Sequence, residues 1–261
     1  MHRRLLIRPG AIGDCILALP ELEAARADYT EVWAPRAVLP LIRFADRTRA
    51  IADTGLDLVG VLPCAKVPAL HSFDSIYSWY GTQHPEFREA VRPLPFTFFP
   101  ALPLSMQGVP RIPVPAAPVG DFAVIHPFSG GSKKNWPLEN FRALAARLPL
   151  TVKWSAGPDE LLDEAVRFND LYELGCWLAT ARVYVGNDSG ISHLAAAVGA
   201  PVVAIFTCTD PRVWAPRGGH VTVLENPSLE DACRAVHLAL EDAGDDGARL
   251  RERSGRLLQR P

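Results

Sequence analysis

The chain has 261 residues, 48% of them hydrophobic and 21% charged, with a formal net charge of -2. This length accommodates one large domain or two small ones, and the near-neutral balance gives no general attraction to nucleic acid or another polyanion. No apolar run approaches the roughly 20 residues that span a bilayer. The opening MHRRLLIRPGAIGDCILALP mimics a secretory leader, but Arg8, Pro9 and Asp14 interrupt its apolar run and no small-residue cleavage site follows, so it reads as mature structure. The cysteines, Cys15, Cys64, Cys176, Cys208 and Cys233, are odd in number and scattered, without CxxC or zinc spacing. That usage fits a reducing cytoplasm and mostly buried thiols. Cys208 reads as packed in or near the core, with a reactive thiol as the alternative.

In chain order, Leu5 to Arg8 reads as a strand and Cys15 to Arg26 as a helix, joined by the PGAIGD turn. Glu31 to Ala34 reads as a strand and Val38 to Arg47 as a helix, with strands near Leu58 to Leu62 and Ser75 to Trp79. Arg36, Arg43 and Arg47 lie seven and four apart, a spacing that predicts one helical face, either solvated or set to meet an anionic, phosphorylated acceptor. Prolines crowd Arg92 to Pro118, a semi-rigid connector with room for one edge strand. A second alternating series follows: strand Phe122 to His126, helix Leu138 to Arg147, strand Thr151 to Ser155, helix Glu160 to Phe168 and helix Gly175 to Thr180. It continues through the strand ending at Val185, a short alanine-rich helix that Gly199 can close, and strand Pro201 to Phe206. Strand Val221 to Leu224 and helix Ser228 to Leu240 complete it. Alternation of this kind predicts an α/β fold with parallel sheets, in two halves, residues 1–118 and 119–261, facing a cleft. The tail DAGDDGARLRERSGRLLQRP places Leu250, Leu257 and Leu258 on one helical face among arginines, a packed or frayed terminal helix or a contact for an anionic membrane surface.

Four clusters fall where strand ends meet loops. In PGAIGD, Gly10 and Gly13 permit a tight turn, and Asp14 stands at the helix start as an N-cap or as a base. A dinucleotide fingerprint finds little support, because the third glycine is absent and no acid ends the second strand. HPFSGGSKKNWP reads as a phosphate cradle, in which Gly130, Gly131 and Ser132 free the backbone and Lys133 and Lys134 supply charge; solvated lysines are the plain alternative. It lacks the P-loop spacing, and His126 beside Pro127 reads as structural. In SAGPDE, Glu160 lies just past a strand end, placed either to accept from ribose hydroxyls or to complement a helix dipole. In YVGNDSGISHLAAAVGAPVVAIF, Ser189 is an N-cap, the amides after it point at an anion beyond the strand end, and Asp188 and His193 flank that terminus. TCTDPRVWAPRG then reads as a rigid loop. No DxD occurs, so a bound pyrophosphate would rely on Lys133, Lys134 and the helix at Ser189-Gly190 instead of paired carboxylates on a divalent cation.

Together these clusters resemble glycosyltransferase family 9, the heptosyltransferases of lipopolysaccharide core assembly, through RPGAIGDCILALPEL, HPFSGGSKKNWPLENF, GPDE, GNDSGISHLAAAVGAPVVAIF and TDPRVWAPRG. The resemblance implies a GT-B fold with an acceptor-side Rossmann-like domain over 1–118, shortened relative to the family, and a donor domain with a C-terminal helix over 119–261. It implies a metal-independent inverting transferase that needs no cofactor and takes a nucleotide sugar, ADP-heptose in most members, to a glycolipid or glycan acceptor. Carried over by position, Asp14 matches the general base, Lys134 the lysine on the donor phosphates and Glu160 the ribose acid. Asp188, Ser189, Gly190 and His193 match the segment around sugar and pyrophosphate, and Ser129 and Gly130 the phosphate-facing loop. Thr207-Cys208 departs from the glycine-bearing turn usual before TDP, and the adenine-side segment between Glu160 and Asp188 is compressed. The implied location is the cytoplasm, with peripheral contact at the inner membrane and no nucleic-acid partner. The competing reading from another class is an inactive GT-B relic that holds a nucleotide or a scaffold partner. A third, sugar-nucleotide epimerisation, needs a second acid/base that the sequence does not identify.

Overall fold

The computed structural model describes residues 1–62, 67–100 and 108–242. The chain divides into two compact units, Met1–Pro113 with Asp170–Tyr172, and Val114–Asn169 with Glu173–Pro261. Cys64 and the tail leucines Leu250, Leu257 and Leu258 lie outside the described residues. No helix among the described residues is long and apolar enough to cross a membrane.

The first unit is a parallel sheet of β1 (Arg3–Ile7), β2 (Tyr29–Ala34), β3 (Arg47–Ala50), β4 (Ser75–Ser78) and β5 (Phe96–Phe98), in the order β3-β2-β1-β4-β5. Helix α1 (Ile12–Ala24) connects β1 to β2, and α2 (Pro85–Ala90) connects β4 to β5. Leu5, Ile7, Trp33, Leu56, Ile76 and Phe87 form its core. The proline-rich stretch yields β5 as an edge strand, where a missing N–H costs no ladder bond.

The second unit is also a parallel sheet, of β6 (Phe122–His126), β7 (Thr151–Trp154), β8 (Val183–Asn187), β9 (Val202–Phe206) and β10 (Val221–Glu225), in the order β10-β9-β8-β6-β7. Its connecting helices are α3 (Leu138–Ala145), α4 (Leu171–Leu178, whose first two residues cluster with the first unit), α5 (Gly190–Ala197) and the short α6 (Pro211–Trp214), and residues 229–242 are helical. Every residue of β6, β8 and β9 is buried, as expected of a parallel sheet covered on both faces. The chain leaves β6 toward β7 and leaves β8 toward β9, so the sheet reverses direction between two adjacent strands. In the first unit the reversal lies between β1 and β4. Loops leaving such a pair in opposite directions open the crevice where doubly wound sheets bind ligands. Asp14 follows β1, the lysine loop follows β6, and Asp188 follows β8, so the sequence clusters sit beside these reversals.

Three expected elements differ. The Val38 to Arg47 helix is instead a 3-10 turn over Arg36–Leu41, with Pro40 inside it, and Arg47 opens β3. Proline lacks the N–H that would extend the helix. Arg36, Arg43 and Arg47 therefore share no helical face: Arg36 pairs with Asp53 at 2.6 Å, and the Arg43 guanidinium lies 4.6 Å from the Tyr172 ring centroid. The Leu58 to Leu62 strand is a 3-10 turn, Leu56–Leu58, followed by an isolated bridge between Val59 and Leu62. The Glu160 to Phe168 helix does not form, because the backbone pairs with the end of β7. Val166 N–H donates to the Trp154 carbonyl at 2.9 Å, and Ala156 N–H to the Val166 carbonyl at 3.3 Å.

The β8-α5-β9 unit forms as its sequence predicts, and Gly199 takes a φ of 89° where α5 turns toward β9. Tyr184 lies fully buried along β8, and its hydroxyl is 3.2 Å from Ser192 Oγ on α5. The ring passes over Gly186, where an added Cβ would collide with the tyrosine hydroxyl and its ring edge. Gly186→Ala is expected to destabilise the fold by about 1–3 kcal/mol through overpacking, read as a lowered urea midpoint. An unchanged midpoint would show that this contact does not constrain the strand.

Candidate functional site

In the second unit the site grows from three strand ends. The loop after β6 runs from Pro127 to Pro137 and contains a 3-10 turn, Ser132–Lys134. Asn187, the last residue of β8, holds both of its ends. Its Nδ2 donates to the Pro127 carbonyl at 2.8 Å, and its Oδ1 accepts from Trp136 N–H at 2.8 Å. The loop is thus fastened to the neighbouring strand, and Lys134 projects from a fixed turn. Its Nζ meets Asp188 Oδ2 at 2.7 Å. Asp188 is only 5% exposed, and a carboxylate so buried must be paired. Thr209, on the loop after β9, donates from Oγ1 to the same Oδ2 at 2.7 Å.

Ser189 caps α5 as its sequence position predicts, accepting weakly from Ser192 N–H at 3.4 Å. Gly190 begins the helix, and His193 lies buried within its first turn. Ser129 is satisfied inside the loop: its Oγ donates to Asn135 Oδ1 at 2.6 Å and accepts weakly from Gly131 N–H at 3.4 Å. A Cβ on Gly130 or Gly131 would meet nothing within 4 Å, so open space adjoins the loop.

Glu160 stands past the end of β7. Its Oε2 accepts from Gly157 N–H at 2.6 Å and lies 3.8 Å from His126 Nε2. His126 is 4% exposed, with Nδ1 3.0 Å from the Ser155 carbonyl. A carbonyl only accepts, so Nδ1 carries the ring proton. Burial pushes this imidazole below its usual value, while Glu160 and the Ser155 carbonyl oppose the shift only in part. His126 is therefore neutral at pH 7, and the 3.8 Å approach is not an ion pair. Its structural reading stands.

Asp14 belongs to the first unit. Helix α1 starts at Ile12 with Ala11 as its N-cap, so Asp14 lies inside the first turn and is not the cap. Its Oδ2 nevertheless bonds back to Ala11 N–H at 3.1 Å. Gly10 makes this possible. It takes a φ of 123°, and a Cβ there would come within 3.1 Å of the Asp14 carboxylate. Beneath the turn, buried Arg8 donates from Nη2 to the Asp14 carbonyl at 3.1 Å. Next in the helix, burial pushes the Cys15 thiol up to about 12, which leaves it protonated and structural. Cys208 corrects the packing expectation: it is exposed on the loop after β9, where the chain leaves the sheet.

The structure thus brings Lys134, Asp188 and the start of α5 together, sets Glu160 at the neighbouring strand end, and carries Asp14 on the other unit. Sequence reasoning missed Asn187 and Thr209. A polar residue ending an otherwise apolar strand was the available sign for Asn187.

Residues 169–241 match the profile of glycosyltransferase family 9 (heptosyltransferase). That span contains Asp188, Ser189, Gly190 and His193, whereas Asp14, Lys134 and Glu160 lie before it. No curated protein matches the chain by sequence. Among solved structures, the chain is similar to ADP-heptose lipopolysaccharide heptosyltransferase II of E. coli, with a TM-score of 0.70, 15% identity, and coverage of 92% of this chain and 99% of that one. It is equally similar to the family 9 glycosyl transferase of Veillonella parvula DSM 2008, with a TM-score of 0.70, 15% identity, and coverage of 92% and 97%. The E. coli heptosyltransferase WaaC, solved with ADP, gives a TM-score of 0.60, 17% identity, and coverage of 92% and 99%. At these identities the likeness establishes the fold, the paired α/β units of GT-B heptosyltransferases.

The lowered His126 value sets a sign for pH dependence. An unfolded imidazole titrates at about 6.5. Below that pH the unfolded chain takes up a proton that the folded chain refuses, so this contribution to stability falls on acidification. Urea midpoints measured from pH 7.5 down to 5.5 should decline, and His126→Gln should flatten the decline while lowering the midpoint at pH 7.5. An equally steep decline in the variant would remove His126 from the account.

Proposed function

We propose that this chain, whose residues 169–241 carry the family 9 glycosyltransferase match, is a metal-independent inverting transferase that moves a sugar from a nucleoside-diphosphate sugar to a hydroxyl of a lipopolysaccharide-core or related glycan. ADP-heptose is the donor we favour, in keeping with relatives of the same fold that are described with ADP-heptose or ADP. The observation that carries the reading is the 2.7 Å pair of Lys134 and Asp188 beside the amino end of α5. A lysine ammonium has three donors, and Asp188 engages one. The others, with the first amides of α5, suit the oxygens of a diphosphate.

In the proposed reaction Asp14 takes the proton of an acceptor hydroxyl. The hydroxyl oxygen forms a bond to the anomeric carbon from the face opposite the diphosphate. The bond from that carbon to the phosphate oxygen breaks, and its electron pair leaves with the nucleoside diphosphate. Lys134 and the Ser189-Gly190 amides stabilise the charge that collects there, the work a divalent cation performs in other sugar-nucleotide enzymes. Asp188 and His193 orient the sugar, Glu160 accepts from the ribose, and Ser129 and Gly130 border the phosphates. The proposed location is the cytoplasm, with peripheral contact at the inner membrane, where a glycolipid acceptor is presented.

Two measurements test this. In a thermal-shift panel of ADP-, UDP- and GDP-sugars, a ligand at 100 times its dissociation constant should stabilise by about 2.7 kcal/mol. With the donor so identified, Asp14→Asn should lower transfer by about 10²–10⁴-fold and leave donor binding unchanged. Full transfer by that variant would remove Asp14 from the mechanism. No shift with any sugar nucleotide would favour an inactive relic of the fold.

A further inference from the structure

Lys134 sits on a loop of glycine, serine and lysine, and its side chain is 36% exposed. A flexible four-carbon stem in that setting has many rotamers, whereas a cation that stabilises developing charge works best when held in place beforehand. The loop after β9 supplies the restraint through two hydroxyls. Thr207 Oγ1 donates to the Lys133 carbonyl at 2.8 Å, which fixes the backbone of the lysine turn. Thr209 Oγ1 donates to Asp188 Oδ2 at 2.7 Å, the same oxygen that holds Lys134 Nζ at 2.7 Å. One hydroxyl therefore sets where the lysine starts, and the other sets the carboxylate against which it ends.

We propose that Thr207 and Thr209 are positioning residues that deliver Lys134 to the donor diphosphate. The proposal rests on the reading of Lys134 as a diphosphate ligand and goes beyond it, because neither threonine is assigned a contact with substrate. Without the Thr209 bond, Asp188 can rotate and carry the ammonium with it. Without the Thr207 bond, the turn loses its tie to the end of β9. Asn187 still anchors both ends of the lysine loop in either variant, so the fold is retained and the orientation of one side chain changes.

The test is calorimetric titration of the full chain with ADP, UDP and GDP, using whichever binds tightest, with melting temperatures recorded for every variant. Thr209→Val should weaken binding about tenfold and Thr207→Val about threefold, while Thr209→Ser stays within about twofold of the native chain. In a Lys134→Ala background, Thr209→Val should cause no further loss, since both act through one cation. Thr209→Ala supplies the same comparison if the valine variant melts early. If Lys134→Ala weakens binding and the threonine variants do not, or if the losses multiply in the double variant, the positioning role is wrong and the lysine assignment survives. If no diphosphate binds, or Lys134→Ala binds as the native chain does, the functional reading fails and the proposal falls with it.

Discussion

A buried carboxylate organises the second unit. Asp188 is placed at the end of β8 where the sheet reverses direction, and it is almost wholly removed from water. Such a group is tolerated only when charge and hydrogen bonds compensate it. Compensation comes from the loop after β6, through Lys134, and from the loop after β9, through Thr209. Satisfying one carboxylate therefore ties three strand ends together. The result is a positive group held beside the amino end of α5, an arrangement suited to an oxyanion.

The two units reach ligand-ready strand ends by different sheet orders and different local devices. In the first, a glycine at positive φ leaves room for a carboxylate to fold back onto its own helix start, so Asp14 is held by the backbone N–H of Ala11. In the second, side chains from separate strands do the holding: Asn187 clamps the lysine loop and Asp188 pairs with the lysine. Backbone devices of the first kind depend on short-range geometry. Side-chain devices of the second kind depend on the register between β6, β8 and β9, in which His126 lies opposite Gly186 and Asn187 opposite Ile205.

Much of this was legible in the sequence where signals were local and redundant. Between Val183 and Phe206, two apolar strands, an N-cap serine and a closing glycine all agree, and the element forms as read. Alternation of strand and helix likewise identified two parallel sheets. The readings that failed were those where propensity competed with pairing or with proline. Residues after Glu160 carry a helical pattern, but Val166 pairs with the end of β7 instead. The arginine spacing from Arg36 to Arg47 suggests a helix, but the stretch with Pro40 inside it makes only a short 3-10 turn, and Arg47 joins the sheet. Asn187 and Thr209 have partners far away in sequence, so beyond the polar residue that ends an apolar strand, nothing local signals their bonds across strand ends.

In the proposed function, Lys134 and the amino end of α5 supply the positive charge a diphosphate needs without a divalent cation. The decisive measurement is titration of the chain with its tightest-binding nucleoside diphosphate, with and without a chelator in excess. The dissociation constant should be the same in both and should rise with added salt, as expected for a half-exposed ammonium. Loss of binding in the chelator, restored by a divalent cation, would contradict this.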